Sequence, residues 1–165
     1  MAKDQSFDVV SQVDLQEVDN AVQQTAKEIL QRYDLKDSGS TIAFDRSAAT
    51  VTLQAPSDFV LGQVKDIFEG KLVRRGIDLL AMDWGKIEAA SGGSARRVGR
   101  VVNGIEAEIA RRINKEIRDE KYKVKVQIEG DKVRVFSPSR DDLQAVIAFL
   151  KSRDYGIPLQ FINYR

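Results

Sequence analysis

The sequence contains neither cysteine nor histidine. Without them the chain cannot form disulfides, use Ser-His-Asp or Cys-His catalysis, or build a zinc site from His and Cys ligands. Any catalysis would need carboxylates, lysine, tyrosine or a hard metal ion. A chain without disulfides is typical of the cytoplasm, which is the location we expect.

Long apolar runs are also missing. No stretch of about 18 apolar residues occurs, so we expect no membrane-spanning helix and no membrane partner. The N-terminal segment MAKDQSFDVV carries acidic residues and lacks the apolar core of a signal peptide. With 42% hydrophobic and 31% charged residues, the 165-residue chain has the composition of an ordinary folded protein.

The net charge of +1 hides an uneven distribution. Residues 1–90 contain 10 Lys/Arg and 15 Asp/Glu, a net charge of −5, whereas residues 94–140 contain 13 and 7, a net charge of +6. A basic block of this kind indicates an anionic partner, or an acidic face on the other half of the chain.

The chain contains an internal repeat. Residues 133–146 (VRVFSPSRDDLQAV) match residues 51–64 (VTLQAPSDFVLGQV) without a gap after a shift of 82 positions, with five identities. Each copy reads as a strand, a Pro-Ser turn and the start of a helix, because proline suits a strand exit and serine can cap the helix that follows. We therefore treat the chain as two related halves.

Hydrophobic periodicity predicts the order β-α-β-β-α-β in each half, with a linker at Ser91–Ser94. This order is typical of ferredoxin-like units, in which two helices cover one face of a four-stranded antiparallel sheet. The predicted class is α+β, with two such units in tandem. RNA-recognition modules use the same arrangement.

The hairpin at residues 121–136 provides the first candidate site. Pairing Ile128 with Val133 and Val126 with Val135 turns those residues towards the helices, so that the open face carries Lys123, Lys125, Gln127, Arg134 and Phe136. RNA-recognition domains stack bases on aromatics beside basic side chains on this face. The alternative is a solvated face whose lysines serve solubility.

A second candidate cluster flanks the glycine-rich linker. Arg96, Arg97 and Arg100 follow it directly, and arginines at this point could hold a phosphate bidentately. Neither GxxxxGK[ST] nor GxGxxG accompanies them, and we expect no bound cofactor and no metal. No group of residues forms a catalytic constellation.

Four segments resemble the YajQ family of bacterial proteins: SFDVVSQVDLQEVDNAV, KLVRRGI, RDDLQAVIAFLK and PLQFINYR. The resemblance covers nearly the full length. It implies tandem ferredoxin-like (RNP-like) domains with exchanged first strands. The first domain would be residues 13–102, completed by the strand 95–102, and the second would be residues 1–12 plus 103–165. Phe7 would then lie beside the strand of Phe136 and, if it points outward, supply a second aromatic.

The family is described as nucleotide-binding, with nucleic acid and cyclic di-GMP as proposed ligands in some members. The resemblance therefore implies a protein that binds a nucleotide and is not an enzyme, with cyclic di-GMP, GTP and ATP as candidates. The alternatives are an RNA-binding or protein-interaction module with a generic basic patch, and a metal-dependent phosphohydrolase. The candidate nucleotide-binding residues are Phe7, Arg96, Arg97, Arg100, Lys123, Lys125, Arg134 and Phe136.

Overall fold

The computed structural model describes residues 4–165. In chain order its elements are β1 (Gln5–Val10), α1 (Leu15–Gln31), β2 (Thr41–Asp45), β3 (Thr50–Ala55), α2 (Asp58–Arg74), β4 (Met82–Trp84), β5 (Glu88–Ala89), β6 (Ala95–Val101), α3 (Ala107–Asp119), β7 (Lys125–Glu129), β8 (Lys132–Ser137), α4 (Arg140–Lys151) and β9 (Gln160–Ile162). Short 3₁₀ turns occupy Leu79–Ala81 and Ser91–Gly93. Within residues 4–165, no helix has both the length and the hydropathy needed to cross a membrane.

The chain divides into two compact units. The first unit is Val13–Val102, and the second combines the segment that ends at Gln12 with Asn103–Arg165. The strand order is β2-β3-β6-β4 in the first unit, where β5 also pairs with β6, and β7-β8-β1-β9 in the second. All pairings are antiparallel. This is the α+β class with two ferredoxin-like sheets, as the element order predicts.

The first strand of each predicted half lies in the sheet formed by the strands of the other half. β1 lies between β8 and β9, and β6 lies between β3 and β4. We interpret these pairings as an exchange of first strands between the two ferredoxin-like units. A half of about 80 residues buries too little surface to be more than marginally stable alone, which gives such an arrangement a physical reason.

The internal repeat appears in the structure with its predicted spacing. β3 and β8 begin 82 residues apart, and so do α2 and α4. Each helix has the predicted serine cap: the hydroxyl of Ser57 accepts from the amide of Val60 at 3.2 Å, and that of Ser139 accepts from the amide of Asp142 at 3.3 Å. Serine satisfies a helix N–H that would otherwise lack a partner.

The register of the β7–β8 hairpin is also as predicted. Ile128 pairs with Val133 and Val126 with Val135, around a two-residue turn in which Gly130 has a φ of +59°. The alternating pattern places the start of the strand too early, because β7 begins at Lys125 rather than near residue 122. Helices cover one face of each sheet, and each unit has its own apolar core.

Candidate nucleotide-binding groove

Three of the predicted residues line one groove on the second unit. The groove has a volume of about 420 Å³ and is bounded by Asp4, Tyr122, Lys123, Val124, Lys125, Phe136, Ser137 and Pro138. It lies where β8 ends and β7 begins. Phe136 pairs with Lys125 on one side and with Ser6 of β1 on the other, so a lysine is next to the aromatic ring across the open face. The volume falls within the range of small-molecule sites.

Ser137 fixes the shape of this groove. It is 2% exposed, and its hydroxyl donates to the carbonyl of Lys123 at 3.0 Å while accepting from the amide of Ser139 at 3.0 Å. One side chain thus joins the segment before β7 to the turn that precedes α4. Lys123 is held beside the end of β8 although it lies outside the strand.

The two lysines of the groove are available for an anion. Lys123 and Lys125 are exposed, and neither forms an ion pair with any residue of the described part of the chain. Phe136 is partly exposed on the same face. Cationic side chains that have no carboxylate partner can pair with phosphate without first breaking an existing contact.

Arg134 was predicted to bind a nucleotide, which requires a guanidinium without a carboxylate partner, but it has two such partners. Its guanidinium contacts both carboxylate oxygens of Asp8, with Nε–Oδ1 at 2.7 Å and Nη2–Oδ2 at 3.4 Å, and Nη1 lies 3.3 Å from Glu129. Asp8 is only 1% exposed. Moving Arg134 towards a ligand would leave a buried carboxylate without its main partner, which is costly. Arg134 therefore belongs to a structural ion pair beside the groove.

Asp8 is the centre of this pair. The Asn163 side chain donates to its Oδ2 at 2.8 Å, and the Lys132 amine lies 3.8 Å away. The hydrogen bond from Arg134 is the largest influence on the pKa of Asp8 and lowers it, against the opposing effect of burial. The same hydrogen bond raises the pKa of Arg134. Both groups are therefore charged near neutral pH.

Phe7 does not point towards the groove. It is fully buried in the core of the second unit, with its ring centroid 6.0 Å from that of Phe161. Stacking on a base would require Phe7 to point outward, and that expectation is wrong. The alternation of β1 places Asp8, not Phe7, on the open face. Phe7 does lie on the strand beside Phe136, but its direct partner is Val135. Phe136 is the one aromatic from the predicted set on the groove.

The three arginines of β6 lie in the first unit and do not form a single clamp. Arg96 is 3.0 Å from Glu88, and Arg100 is 3.6 Å from Asp83. Arg97 is on the opposite face, where its Nε donates to the carbonyl of Gly85 at 2.8 Å. Successive residues of a strand point to opposite faces, so consecutive arginines cannot converge on one phosphate.

Several groove residues are not apparent as site residues from the sequence. Tyr122 and Val124 alternate with the lysines, which indicates the core face, and Tyr122 does contact Phe149, with ring centroids 5.9 Å apart. Ser137 and Pro138 indicate only a strand exit. The useful signal is their position directly after Phe136. Within residues 4–165, no group of three or more Asp, Glu, His or Cys side chains is arranged to hold a metal ion.

The fold and the groove define a class: a two-unit α+β protein with open antiparallel sheets, one of which carries, beside an aromatic ring, lysines that have no ion-pair partner in the described part of the chain. The family described as "Nucleotide-binding protein YajQ-like" matches residues 5–165. The chain belongs to the YajQ family.

Similar proteins span the whole chain. A "Nucleotide-binding protein" of Alkaliphilus oremlandii is 50% identical over 165 residues, which is 100% of both chains. One from Heliobacterium modesticaldum is 51% identical over 165 residues, covering 100% of this chain and 99% of its own. One from Acidithiobacillus ferrooxidans is 47% identical over 160 residues, covering 97% and 98%.

Proposed function

We propose that this protein binds a nucleotide, without catalysis, in the groove formed by Lys123, Lys125 and Phe136. The base would stack on Phe136, and the two lysines would hold the phosphates. The observation that carries the proposal is the presence of two lysines without ion-pair partners, within residues 4–165, beside a partly exposed aromatic ring. Similar full-length proteins bear the name nucleotide-binding protein, which supports the same ligand class.

The chemistry of the groove suits a nucleotide for two reasons. A base can stack on an aromatic ring whatever its identity, and such stacking contributes about 1–3 kcal/mol per base. Ammonium groups act as point charges for phosphate and require no fixed approach direction. Cyclic di-GMP, GTP and ATP share these two features, so all three remain candidates. The β6 arginines are not among the residues that line this groove.

A short single-stranded RNA is the second candidate. The open sheet face continues from Phe136 across Ser6, and sheets of this kind bind single strands through stacking and backbone charge. The two ligand classes differ in their response to salt, because binding along a nucleic-acid backbone releases counterions from many phosphates. A protein-interaction module with a generic basic patch is the remaining alternative.

Calorimetric titration of the full chain tests the proposal directly. Cyclic di-GMP, GTP, ATP and a short single-stranded RNA would each be titrated at about 50 mM and about 200 mM salt. We expect saturable binding of one nucleotide that persists at the higher salt concentration. Weak binding of all four ligands that disappears with salt would instead support the generic basic patch.

The internal repeat provides matched control variants. Phe136→Ala should weaken binding about tenfold or more through lost stacking, and Lys125→Ala about fivefold through lost charge. Gln54 and Thr41 hold the equivalent paired positions on the sheet of the first unit. Gln54→Ala and Thr41→Ala should leave binding unchanged. Equal losses in both sets of variants would contradict the assignment of the groove.

A further inference from the structure

A second and smaller cavity lies in the second unit, between α4 and the start of β1. Its volume is about 230 Å³. Leu143 and Ile147, which are 5% and 6% exposed, line an apolar floor, and the fully buried Phe7 adjoins it. Because Phe7 points away from the open sheet face, this cavity is distinct from the groove that contains Phe136.

One wall of the cavity is an exposed aromatic ring. Tyr164 is 61% exposed, and its ring centroid lies 6.3 Å from that of Phe7 at an interplanar angle of 36°. The backbone beyond it is held in place, because the amide and carbonyl of Arg165 both bond to Ser6, at 3.0 and 3.1 Å. The ring is therefore presented to solvent by a segment that is anchored to β1.

Asn163 provides the bend that places this ring. Ile162 pairs with Asp8 and Arg165 bonds to Ser6, so the C-terminal segment has one more residue than β1 between those positions. Asn163 has a φ of +56°, a left-handed conformation that asparagine tolerates better than most residues. Extra residues of this kind are bulges that redirect a neighbouring side chain.

The rim of the cavity is cationic and polar. Arg140 and Gln144 on α4 both line it and are exposed. In the part of the chain that the structure describes, the Arg140 guanidinium forms neither an ion pair nor a hydrogen bond. The acidic residues of the first turn of α4, Asp141 and Asp142, do not line the cavity. An apolar floor with few polar groups at the rim is typical of small-molecule sites.

Size limits what can enter. An apolar cavity of about 150 Å³ accommodates benzene, so this cavity has room for a bicyclic ring or for one ring with a substituent. We propose that it binds a small planar aromatic anion. Its ring would lie against Leu143, Ile147 and Tyr164, and its carboxylate would meet Arg140. Such a site is additional to the nucleotide groove and does not depend on it.

Naphthoate and its neutral counterpart naphthamide are suitable probes for the isotope-labelled full chain. In two-dimensional NMR titrations, naphthoate should shift the methyl resonances of Leu143 and Ile147, with a Kd on the order of 0.1–1 mM for a ligand of this size. Naphthamide should bind several-fold more weakly. Arg140→Gln should weaken naphthoate binding about fivefold or more and leave naphthamide binding unchanged, because the variant removes only the charge contact.

Matched variants separate this cavity from other surfaces. Tyr164→Ala should weaken both probes, because it removes a wall of the cavity. Arg111→Gln, which removes an exposed arginine from α3, and Phe136→Ala, in the groove, should affect neither. The proposal is overturned if millimolar naphthoate leaves the Leu143 and Ile147 methyls unshifted, if the two probes bind equally, or if Arg140→Gln has no effect.

Discussion

The two sheets have the same strand roles, yet equivalent positions carry different chemistry. Phe7 pairs with Val135 in the second unit, and Arg97 pairs with Leu53 at the same place in the first. Phe7 fills the core, whereas Arg97 lies over the Trp84 ring at 5.9 Å and bonds to a loop carbonyl. The same strand order thus accommodates an apolar side chain in one unit and a charged side chain in the other at the same position of a central strand.

The edge strands complete this comparison. Phe161 and Trp84 hold equivalent positions on β9 and β4, paired with Val9 and Gly99 respectively. In the first unit the larger ring of Trp84 lies across the strand, and a Cβ on Gly99 would be 2.6 Å from it. At these positions the second unit has Phe161 beside Val9, whereas the first has the larger Trp84 beside Gly99.

The open faces differ in chemistry. The second unit has Lys125, Phe136 and a buried Asp8–Arg134 pair, whereas the first has Thr41, Gln54 and a Val98–Thr52 pair at the equivalent places. The first-unit face therefore lacks both the aromatic ring and the lysine at these places. A sheet that merely needed solubility would not require this difference, which is why we propose the nucleotide site on the second unit.

The largest effect should come from Phe7→Ala. Removing a fully buried aromatic ring leaves a cavity and should cost about 3–5 kcal/mol of the free energy of unfolding of the second unit. Arg97→Ala at the equivalent position should cost less than about 1 kcal/mol, because that side chain is partly exposed. Hydrogen exchange measured separately at β8 and β3 amides distinguishes the units. Similar losses at both positions would contradict the comparison.

Asp8→Asn should cost about 2 kcal/mol, because it removes the charge that Arg134 faces in a buried site. Since the pKa of Asp8 is lowered in the folded state, its ionised form stabilises the fold above the unfolded value of about 3.9. That contribution is lost as the pH falls through the lower folded pKa. Acid unfolding curves of the wild type should therefore be steeper than those of the variant. Parallel curves would show that Asp8 does not contribute.

Gly99→Ala should destabilise the first unit by about 1–3 kcal/mol, because the new methyl group displaces the Trp84 ring. The fluorescence of Trp84, the only tryptophan of the chain, should change with it. Gly62→Ala in α2 is the control: beyond its chain neighbours and the adjacent helix backbone, no atom of the described residues lies within 4 Å of the new methyl group, so the change should stabilise the helix by up to about 1 kcal/mol. An unchanged emission spectrum for Gly99→Ala would exclude the proposed displacement.

The smallest expected effects concern the serine helix cap that both units contain. Ser57→Ala and Ser139→Ala each remove a helix cap and should each cost about 1 kcal/mol in urea unfolding of the full chain. Asparagine at either position should restore most of the loss, because it caps equally well. A marked difference between the two serines would show that the repeat is equivalent in sequence but not in energetics.

Much of the fold could be predicted from local pattern. The repeat, the two serine caps and the β7–β8 register follow from short-range rules, since the residues involved lie within a few positions of one another. The placement of β1 beside β8 does not follow from such rules, because strands more than 120 residues apart pair here. That placement was implied only by the family resemblance.

The candidate site was predictable in part. Lys125 and Phe136 share one groove because the hairpin register pairs them, and Lys123 joins them through the hydrogen bond from Ser137 to its carbonyl. Arg134 lies on the predicted face, but it pairs with Asp8, which comes from a distant segment of the chain, and not with a ligand. Phe7 lies on the predicted strand but points to the other face. Which side chains of an alternating strand face the core depends on the sheet that the strand joins.

The sequence by itself determined the element order, the repeat and the helix caps, because these depend on local chemistry. It also determined which face of one hairpin carries the lysines and which the valines, because the side chains of a strand alternate with a period of two residues. The tertiary structure decided which charges remain available. Arg134, Arg96 and Arg100 meet carboxylates on neighbouring strands, whereas Lys123 and Lys125 meet none within residues 4–165. Whether a charge is neutralised depends on the distance between the two groups in the folded protein, and only strand pairing brings those partners together.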